Sequence, residues 1–458
     1  MPDERMRVAY DVPVDPPADV LVIGGGSAGV AAATAAARAG ARTVLVERYG
    51  FLGGTSTAGL VGPFMTSYSA DASERIVGGI FQEVVERMVA IGGAVDPAST
   101  RAGSAHASFI EYGHAHVTPF HPEALKLAVL GVVSEGGVDI RFHTSFVDVI
   151  KSESGVGGAI VLDKAGLRAL LAKVVIDASA DGDVAARAGA ECVLGRDDGK
   201  MMPATMFFRI GGVDDARLEA WMDEHRRIHP GERLFECLVQ QAKRDGRWPI
   251  PREYVNMYRE PRPGEYRVNT TRLHDIDGTN PADLSRAEVE GRRQVMAIMR
   301  FLREYCPGCA QVVLLETAAQ AGIRETRHVL GEYVLSGDDV LRGAKFSDAI
   351  ARCAYPIDIH DPTGTRGSLR GPQDAGQNWY EIPYRCLVPR RLEQLLVAGR
   401  CISATHEGAA SARVIPACYA TGQAAGVAAA IAAATNTSPR GVPADRLRKQ
   451  LRAAGAIV

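Results

Sequence analysis

The stretch DVLVIGGGSAGVAAATAAARAGARTVLVE, residues 19–47, constrains the fold more than any other part of the chain. DVLVI and TVLV are continuous apolar runs without alternation, the pattern of strands covered on both faces in a parallel sheet. Between them lies an alanine-rich helical run closed by Gly40. The whole therefore reads as a βαβ unit of an α/β fold, a parallel sheet flanked by helices. Gly24, Gly26 and Gly29 form G-x-G-x-x-G between the first strand and the helix. The first glycine permits the tight turn, the second lets backbone approach a pyrophosphate, and the third lets helix and strand pack closely. The helix N-terminus then presents free N–H groups and partial positive charge to an anion. Glu47 closes the second strand 18 residues after Gly29, where a carboxylate can accept from a ribose hydroxyl and disfavours a 2′-phosphate. NAD and FAD share this fingerprint, so further residues must separate them.

At 458 residues the chain is long enough for two or three domains. Residues 1–17 are polar, carry three prolines near their end and read as an extended arm. GGIFQEVVERMVAIGG and PEALKLAVLGVVSEGG read as helices, while VDIRFHTSFVDVIKS, GAIVLDKAG and AKVVIDASADGD read as strands. From about residue 210 to 376 charges increase and irregular loops rich in Gly, Pro and Asp intervene. QLLVAG then returns to the earlier style. The expected organisation is a Rossmann-like nucleotide domain split into 18–209 and 377–440, a second α+β substrate or cap domain at 210–376, and a helical tail at 441–458. With 52 basic and 54 acidic residues the charges nearly cancel, so a small-molecule partner is expected rather than nucleic acid. Ala417 to Thr435 lacks charge, yet alanine and glycine dominate it, so a buried helix is expected rather than a membrane span. Eight scattered cysteines and a start without the basic-then-apolar pattern of a signal peptide suit the cytoplasm.

Beyond Glu47, ERYGFLGGTSTAGLVG supplies a second flexible loop rich in donors. With this loop, and with TPFHPEALK, VVIDASADGDVAARAGA, PATMFFRIGGVD, GIRETRHVLGEY, YPIDIHDP, YEIPYRCLVP and LLVAGRCISATHEGAASARVIPACYATGQAAG, the chain resembles a family of bacterial FAD-dependent oxidoreductases. That family falls in the glutathione-reductase-like flavoprotein class and is distantly related to the fumarate reductase flavoprotein. The resemblance implies noncovalent, extended FAD. Gly24, Gly26, Gly29 and Glu47 would hold its ADP half, Val147 its adenine, and Gly54, Thr55 and Ser56 would lie toward the flavin. Ser27, Ala28, Arg48, Gly53, Ala178, Asp181, Gly399, Arg400 and Ile415 would also line the cofactor. Two positions depart from the family pattern: Ser179-Ala180 stands where A-T-G is usual, and Gly399-Arg400 where Gly-Asp is common. No second G-x-G-x-x-G follows a strand, so electrons are expected to enter or leave through the substrate lobe or a separate acceptor or donor.

A flavoenzyme of this kind must orient a C–H bond at flavin N5 and handle one proton. Arginines suit carboxylate or carbonyl binding, and His, Tyr or Glu suit proton transfer. His406, His360 and Tyr384 are the proton-transfer candidates, and Arg413 and Arg385 the anchors. For His360 the competing reading is a structural bond to Asp358 or Asp361. Arg324 in GIRETR would share a helix face with His328, and a solvated charged face is the usual outcome for such a run. Cys306-Pro-Gly-Cys309 follows a charged helix instead of opening one, and reads as a turn. His106, His114, His116 and His121 match no compact zinc spacing, so no metal is expected. The expected activity is hydride transfer between a small polar organic substrate and FAD. A fumarate-reductase-like reduction of an activated double bond and a non-catalytic flavin-binding redox subunit or sensor are the alternatives, with an NAD-dependent dehydrogenase as a further rival. A homo-oligomer, the substrate and the direction of transfer stay open.

Overall fold

The computed structural model describes residues 6, 8–153, 155–365 and 367–458. Residues 1–5 and 7 of the expected arm lie outside the described residues. The strand β1 (Ala18–Ile23), the helix α1 (Ser27–Arg38) and β2 (Thr43–Val46) form the βαβ unit that the glycine-punctuated apolar runs require. The helices α2 (Gly79–Ala90) and α3 (Pro122–Glu135) follow, then β3 (Asp139–Arg141), β4 (Ser145–Ser152), β5 (Gly155–Asp163) and β6 (Gly166–Asp177). The last strand, β7 (Leu395–Val397), arrives more than 200 residues later and is followed by α4 (His406–Ala412) and α5 (Ile415–Thr435).

All seven strands belong to one sheet, ordered β3-β2-β1-β6-β5-β4 with β7 also on β6. β6 carries both modes of pairing along its length. Its C-terminal half runs parallel to β1, with Val22 opposite Ile176, and to β7, with Leu396 opposite Ile176. Its N-terminal half pairs antiparallel with β5, which pairs antiparallel with β4. The sheet is therefore a parallel nucleotide-binding core extended by a hairpin. Continuous apolar runs announce the parallel part, but they do not reveal how β4 to β6 pair. Pairing of β7 with β6 makes this domain discontinuous in sequence.

A four-stranded antiparallel sheet of Phe208–Gly211, Met257–Arg259, Tyr266–Val268 and Val313–Thr317 builds a second lobe with helices Asp215–Ile228 and Pro281–Tyr305. Its core is separate from the first and collects Leu60, Ala105 and side chains from Ala204 to Ala321. Buried residues between Val329 and Val388 pack into the first core instead. Residues 306 and 309 form a turn, with the Cys309 N–H donating to the Cys306 carbonyl at 3.0 Å. Burial pushes both thiols up, Cys309 to about 12, which leaves them poor thiolates.

α5 is long and apolar enough to cross a membrane, but it lies buried inside the protein. Its small residues have a packing reason. A Cβ on Gly422 would meet the Ala28 carbonyl oxygen at 2.2 Å, and one on Gly426 the Ala32 oxygen at 2.1 Å. The two glycines and the two alanines are each four residues apart, so one face of α5 lies directly on one face of α1.

Candidate functional site

A cavity of about 1050 Å³ opens at the C-terminal ends of β1, β2, β6 and β7 and extends into the second lobe. Ligand pockets usually span about 300–1,000 Å³, so there is room for a large cofactor and a small second molecule. Its position follows the rule that open α/β sheets bind ligands beyond the carboxyl ends of their strands.

The glycine loop is shaped as its spacing predicts. Gly24 adopts φ +103°, and a Cβ there would strike the Ala178 carbonyl oxygen at 2.5 Å. A Cβ on Gly29 would lie 1.7 Å from the Gly24 oxygen, so this glycine serves packing and does not line the cavity. Gly26 is different, because a Cβ there would meet only the Gly54 Cα, at 3.7 Å, and the backbone stays open to the cavity. It is also the N-cap of α1 and has no side-chain cap. The first N–H groups of α1 are thus left for a ligand, with Ser27 and Ala28 on the wall. Glu47 lines the cavity while accepting from the Gly25 N–H at 2.7 Å and the Tyr49 N–H at 2.9 Å. Burial pushes its carboxyl up, and these two amides pull back. A carboxylate has about four acceptor positions, so capacity remains for a ribose hydroxyl.

Arg48, Gly54, Thr55 and Val147 line the same space, as do Ala178, Asp181, Gly399, Arg400 and Ile415. Gly53 and Ser56 do not: Gly53 is the left-handed turn at φ +105°, and Ser56 is buried behind it. Arg400, in the place of the usual acid, donates to Asp181 Oδ1 at 2.5 Å. Thr326 Oγ1 donates to the same oxygen at 2.8 Å, and Arg327 holds the Asp181 carbonyl at 3.0 Å and Asp183 Oδ1 at 2.9 Å. The turn DASADGD is therefore clamped from two sides, and Asp177 at its root accepts from the Ser179 and Ala185 N–H groups. α5 begins at Ile415 with no side-chain cap on Val414, and both residues face the cavity, so a second helix N-terminus points into it. A glycine-bound helix start, a closing acid, a second loop and an uncapped helix at one cavity are the donor set of an extended dinucleotide. Together they define a dinucleotide-binding protein of the α/β class.

The family model for FAD dependent oxidoreductases matches residues 19–451. The chain belongs to that family, and it is an FAD-dependent oxidoreductase. No curated protein matches it. Among solved structures it is similar to a geranylgeranyl bacteriochlorophyll reductase-like protein of Thermoplasma acidophilum, at 15% identity over 97% of this chain and 85% of that one, with a TM-score of 0.44. It is also similar to the p-nitrophenol 4-monooxygenase PnpA of Pseudomonas putida, at 12% identity over 94% and 83% of the two chains and a TM-score of 0.47.

The far end of the cavity divides the catalytic candidates. His360 and Arg413 line it; His406, Tyr384 and Arg385 do not. His360 sits on the strand Ile357–His360, two residues from Asp358, so both side chains leave one face. Its Nε2 lies 3.2 Å from Asp358 Oδ2, which makes the structural and the cavity-lining readings of this histidine true together. Burial, then the charge of Arg324, pushes the ring down to about 3, so it is neutral at pH 7. Burial works against the charged form of Asp358, but His360, Arg413 and Arg324 overcome it and keep the carboxylate ionised.

The other three candidates have structural partners. His406 Nδ1 is 2.8 Å from Glu325 Oε1, which also receives His328 Nε2 at 2.9 Å. The position between strand and helix placed His406 in the right neighbourhood, but the ring turns toward Glu325. Tyr384 donates to the Pro439 carbonyl at 2.8 Å, and burial alone pushes its hydroxyl far up. Arg385 is half exposed and pairs with Asp348 at 3.0 Å. His106, His114 and His116 each engage a backbone carbonyl, and His121 caps α3.

Arg324 corrects the expectation of a solvated helical face. It precedes the strand Arg327–Val329, is buried and lines the cavity. It donates to the Pro203 carbonyl and, at 3.2 Å, to Asn269 Oδ1. Burial, then the positive Arg413 and Arg252, holds its guanidinium well below its ordinary range. Arg252, Tyr254, Asn269 and Tyr355 also form this end. Sequence reasoning missed them, since an arginine or tyrosine in the charged middle section carries no mark of burial.

Proposed function

We propose that this enzyme transfers a hydride between a small polar organic substrate and FAD, within the glutathione-reductase-like class of flavoproteins. The observation that carries the reading is the continuity of one cavity from the glycine loop of α1 to the arginine- and tyrosine-lined end in the second lobe. Bound FAD supplies hydride exchange at N5. Gly26, Glu47 and the starts of α1 and α5 would hold it, with Arg400 keeping the DASADGD turn in shape through Asp181.

The residues at the far end orient the substrate and manage its proton. Arg324 and Arg413 offer N–H donors fixed by Asn269 and Asp358. His360, neutral and donating to Asp358 through Nε2, keeps Nδ1 as an acceptor for a substrate hydroxyl or amine proton. Tyr355 donates to Asp358 Oδ2 at 3.2 Å and tethers that carboxylate from the other side. Arg252, Tyr254 and Asn269 of the second lobe wall this end of the cavity.

The test is anaerobic mixing of the yellow protein with alcohols, amines, hydroxy acids and sugars, followed by flavin absorbance. Bleaching by one class identifies oxidation of that class. Chemically reduced protein re-oxidised by an unsaturated acid identifies the reverse direction. A flavin indifferent to every compound in both states rules the reading out.

A further inference from the structure

We propose that the substrate is a small organic dianion held through its oxyanion groups by Arg252, Arg324 and Arg413. This deepens the reading of the far end as the substrate site and rests on it. Arg252 is 1% exposed and lines the cavity, yet among the described residues its Nε and one terminal nitrogen have no hydrogen-bond partner. Tyr254 lies under its guanidinium at 4.9 Å. Arg324 has only neutral partners, the Pro203 carbonyl and the Asn269 side chain. Arg413 reaches the Asp358 carbonyl at 3.3 Å and its carboxylate at 3.8 Å, while its own buried Nε has no partner.

An unpaired guanidinium in a low-dielectric site is among the most costly arrangements a fold can hold, because nothing repays the charge for the water it has lost. Among the described residues at this end of the cavity, three arginines face one acid, Asp358, and His360 adds no charge. The surplus is two positive charges, and partly exposed Arg233 adds to it. A ligand with two negative charges cancels the surplus and satisfies the partnerless N–H groups. The three arginines come from three separate segments, so the charge is spread around the cavity end. Two anionic groups on one carbon skeleton match that spread, because each guanidinium fork takes a planar or tetrahedral oxyanion with two parallel bonds.

Calorimetry and flavin difference spectra on the FAD-loaded protein test this with malonate, adipate, propyl phosphate, acetate and malonamide as probes. A dicarboxylate or the phosphate ester is expected to bind at least ten times more tightly than acetate, with malonamide silent and affinity falling as salt rises. Which dianion wins tells carboxylate from phosphate. Arg252→Gln is expected to weaken the best dianion tenfold or more with the flavin spectrum retained. Should that variant fail to fold, Arg413→Gln carries the same expectation. Malonamide binding as tightly as malonate, or no dianion exceeding acetate, overturns the proposal. A yellow, redox-active protein indifferent to dianions overturns it while leaving the hydride-transfer reading intact. A protein that binds a dianion but exchanges no electrons with any compound overturns the hydride-transfer reading and supports the dianion site.

Discussion

Gly422 of α5 rests on the carbonyl oxygen of Ala28 in α1, so closely that a Cβ would stand 2.2 Å from that oxygen. Ala28 belongs to the first turn of the helix whose free N–H groups face the cofactor cavity. Gly422→Ala must therefore push the phosphate-binding turn as well as the helix pair. Overpacking of this kind costs about 1–3 kcal/mol. Thermal unfolding is expected to show that loss, and a titration of the apoprotein should show FAD binding weakened by a larger factor than in a distant variant of equal stability. Equal FAD affinity in the two variants would separate the packing of α5 from the cofactor site.

Glu47 presents a second test of the same loop. Its two carboxylate oxygens each take one amide N–H, from Gly25 and from Tyr49. Glu47→Gln offers a single acceptor oxygen, so one buried N–H loses its partner, at about 1–3 kcal/mol. FAD dissociation constants from fluorescence quenching should rise tenfold or more, and the unfolding midpoint should fall. Glu47→Gln with unchanged FAD affinity would show that the carboxylate contributes nothing beyond the loop.

How much of this was legible in the sequence depends on whether a residue's role is local. Gly24, Gly26, Gly29 and Glu47 act within one βαβ unit, so spacing alone placed them. The return of β7 to the sheet was legible because LLV is apolar throughout, like the VLVI of β1. His406 and Arg324 failed for a shared reason: their neighbours are distant in sequence. Its place between a buried strand and the Ala/Gly helix put His406 where the flavin ring was expected, yet Glu325, 81 residues away, captures the ring. The charged run around Arg324 looked solvated, and packing against Pro203 and Asn269, more than 50 residues away in sequence, buries it. Arg252 had no signal at all, since what distinguishes it is that, among the described residues, its Nε and one terminal nitrogen find no hydrogen-bond partner.

The His328–Glu325–His406 cluster makes stability depend on acid in a defined window. Burial pushes the Glu325 carboxyl up, but the hydrogen bonds from His328 and His406 outweigh it and hold the group at about 2. The unfolded value is about 4.3, so the folded state binds the proton less readily. The contribution is complete above pH ~4.3 and disappears as pH falls through about 2, amounting to roughly 3 kcal/mol at most. Urea midpoints measured from pH 6 to pH 2.5 should fall in the wild type. In Glu325→Gln the stability at pH 6 should be lower and this part of the slope absent. An unchanged slope would assign the acid sensitivity to other carboxylates.

The two histidines that sequence reasoning treated alike should separate in one experiment. His406 reaches Glu325 and does not line the cavity, whereas His360 lines it beside Asp358. His406→Gln removes the Nδ1–H that a buried carboxylate uses, at about 1–3 kcal/mol. It should lower the unfolding midpoint and leave both the flavin spectrum and ligand-induced difference spectra unchanged. His360→Gln keeps a donor for Asp358 but removes the acceptor Nδ1 from the cavity wall, and general acid–base groups typically contribute 10²–10⁴-fold. Flavin bleaching by the substrate found in the anaerobic panel should slow by that order, with a smaller change in its dissociation constant. Slower bleaching in His406→Gln than in His360→Gln, at matched stability, would move the proton-handling role back to the turn before α4.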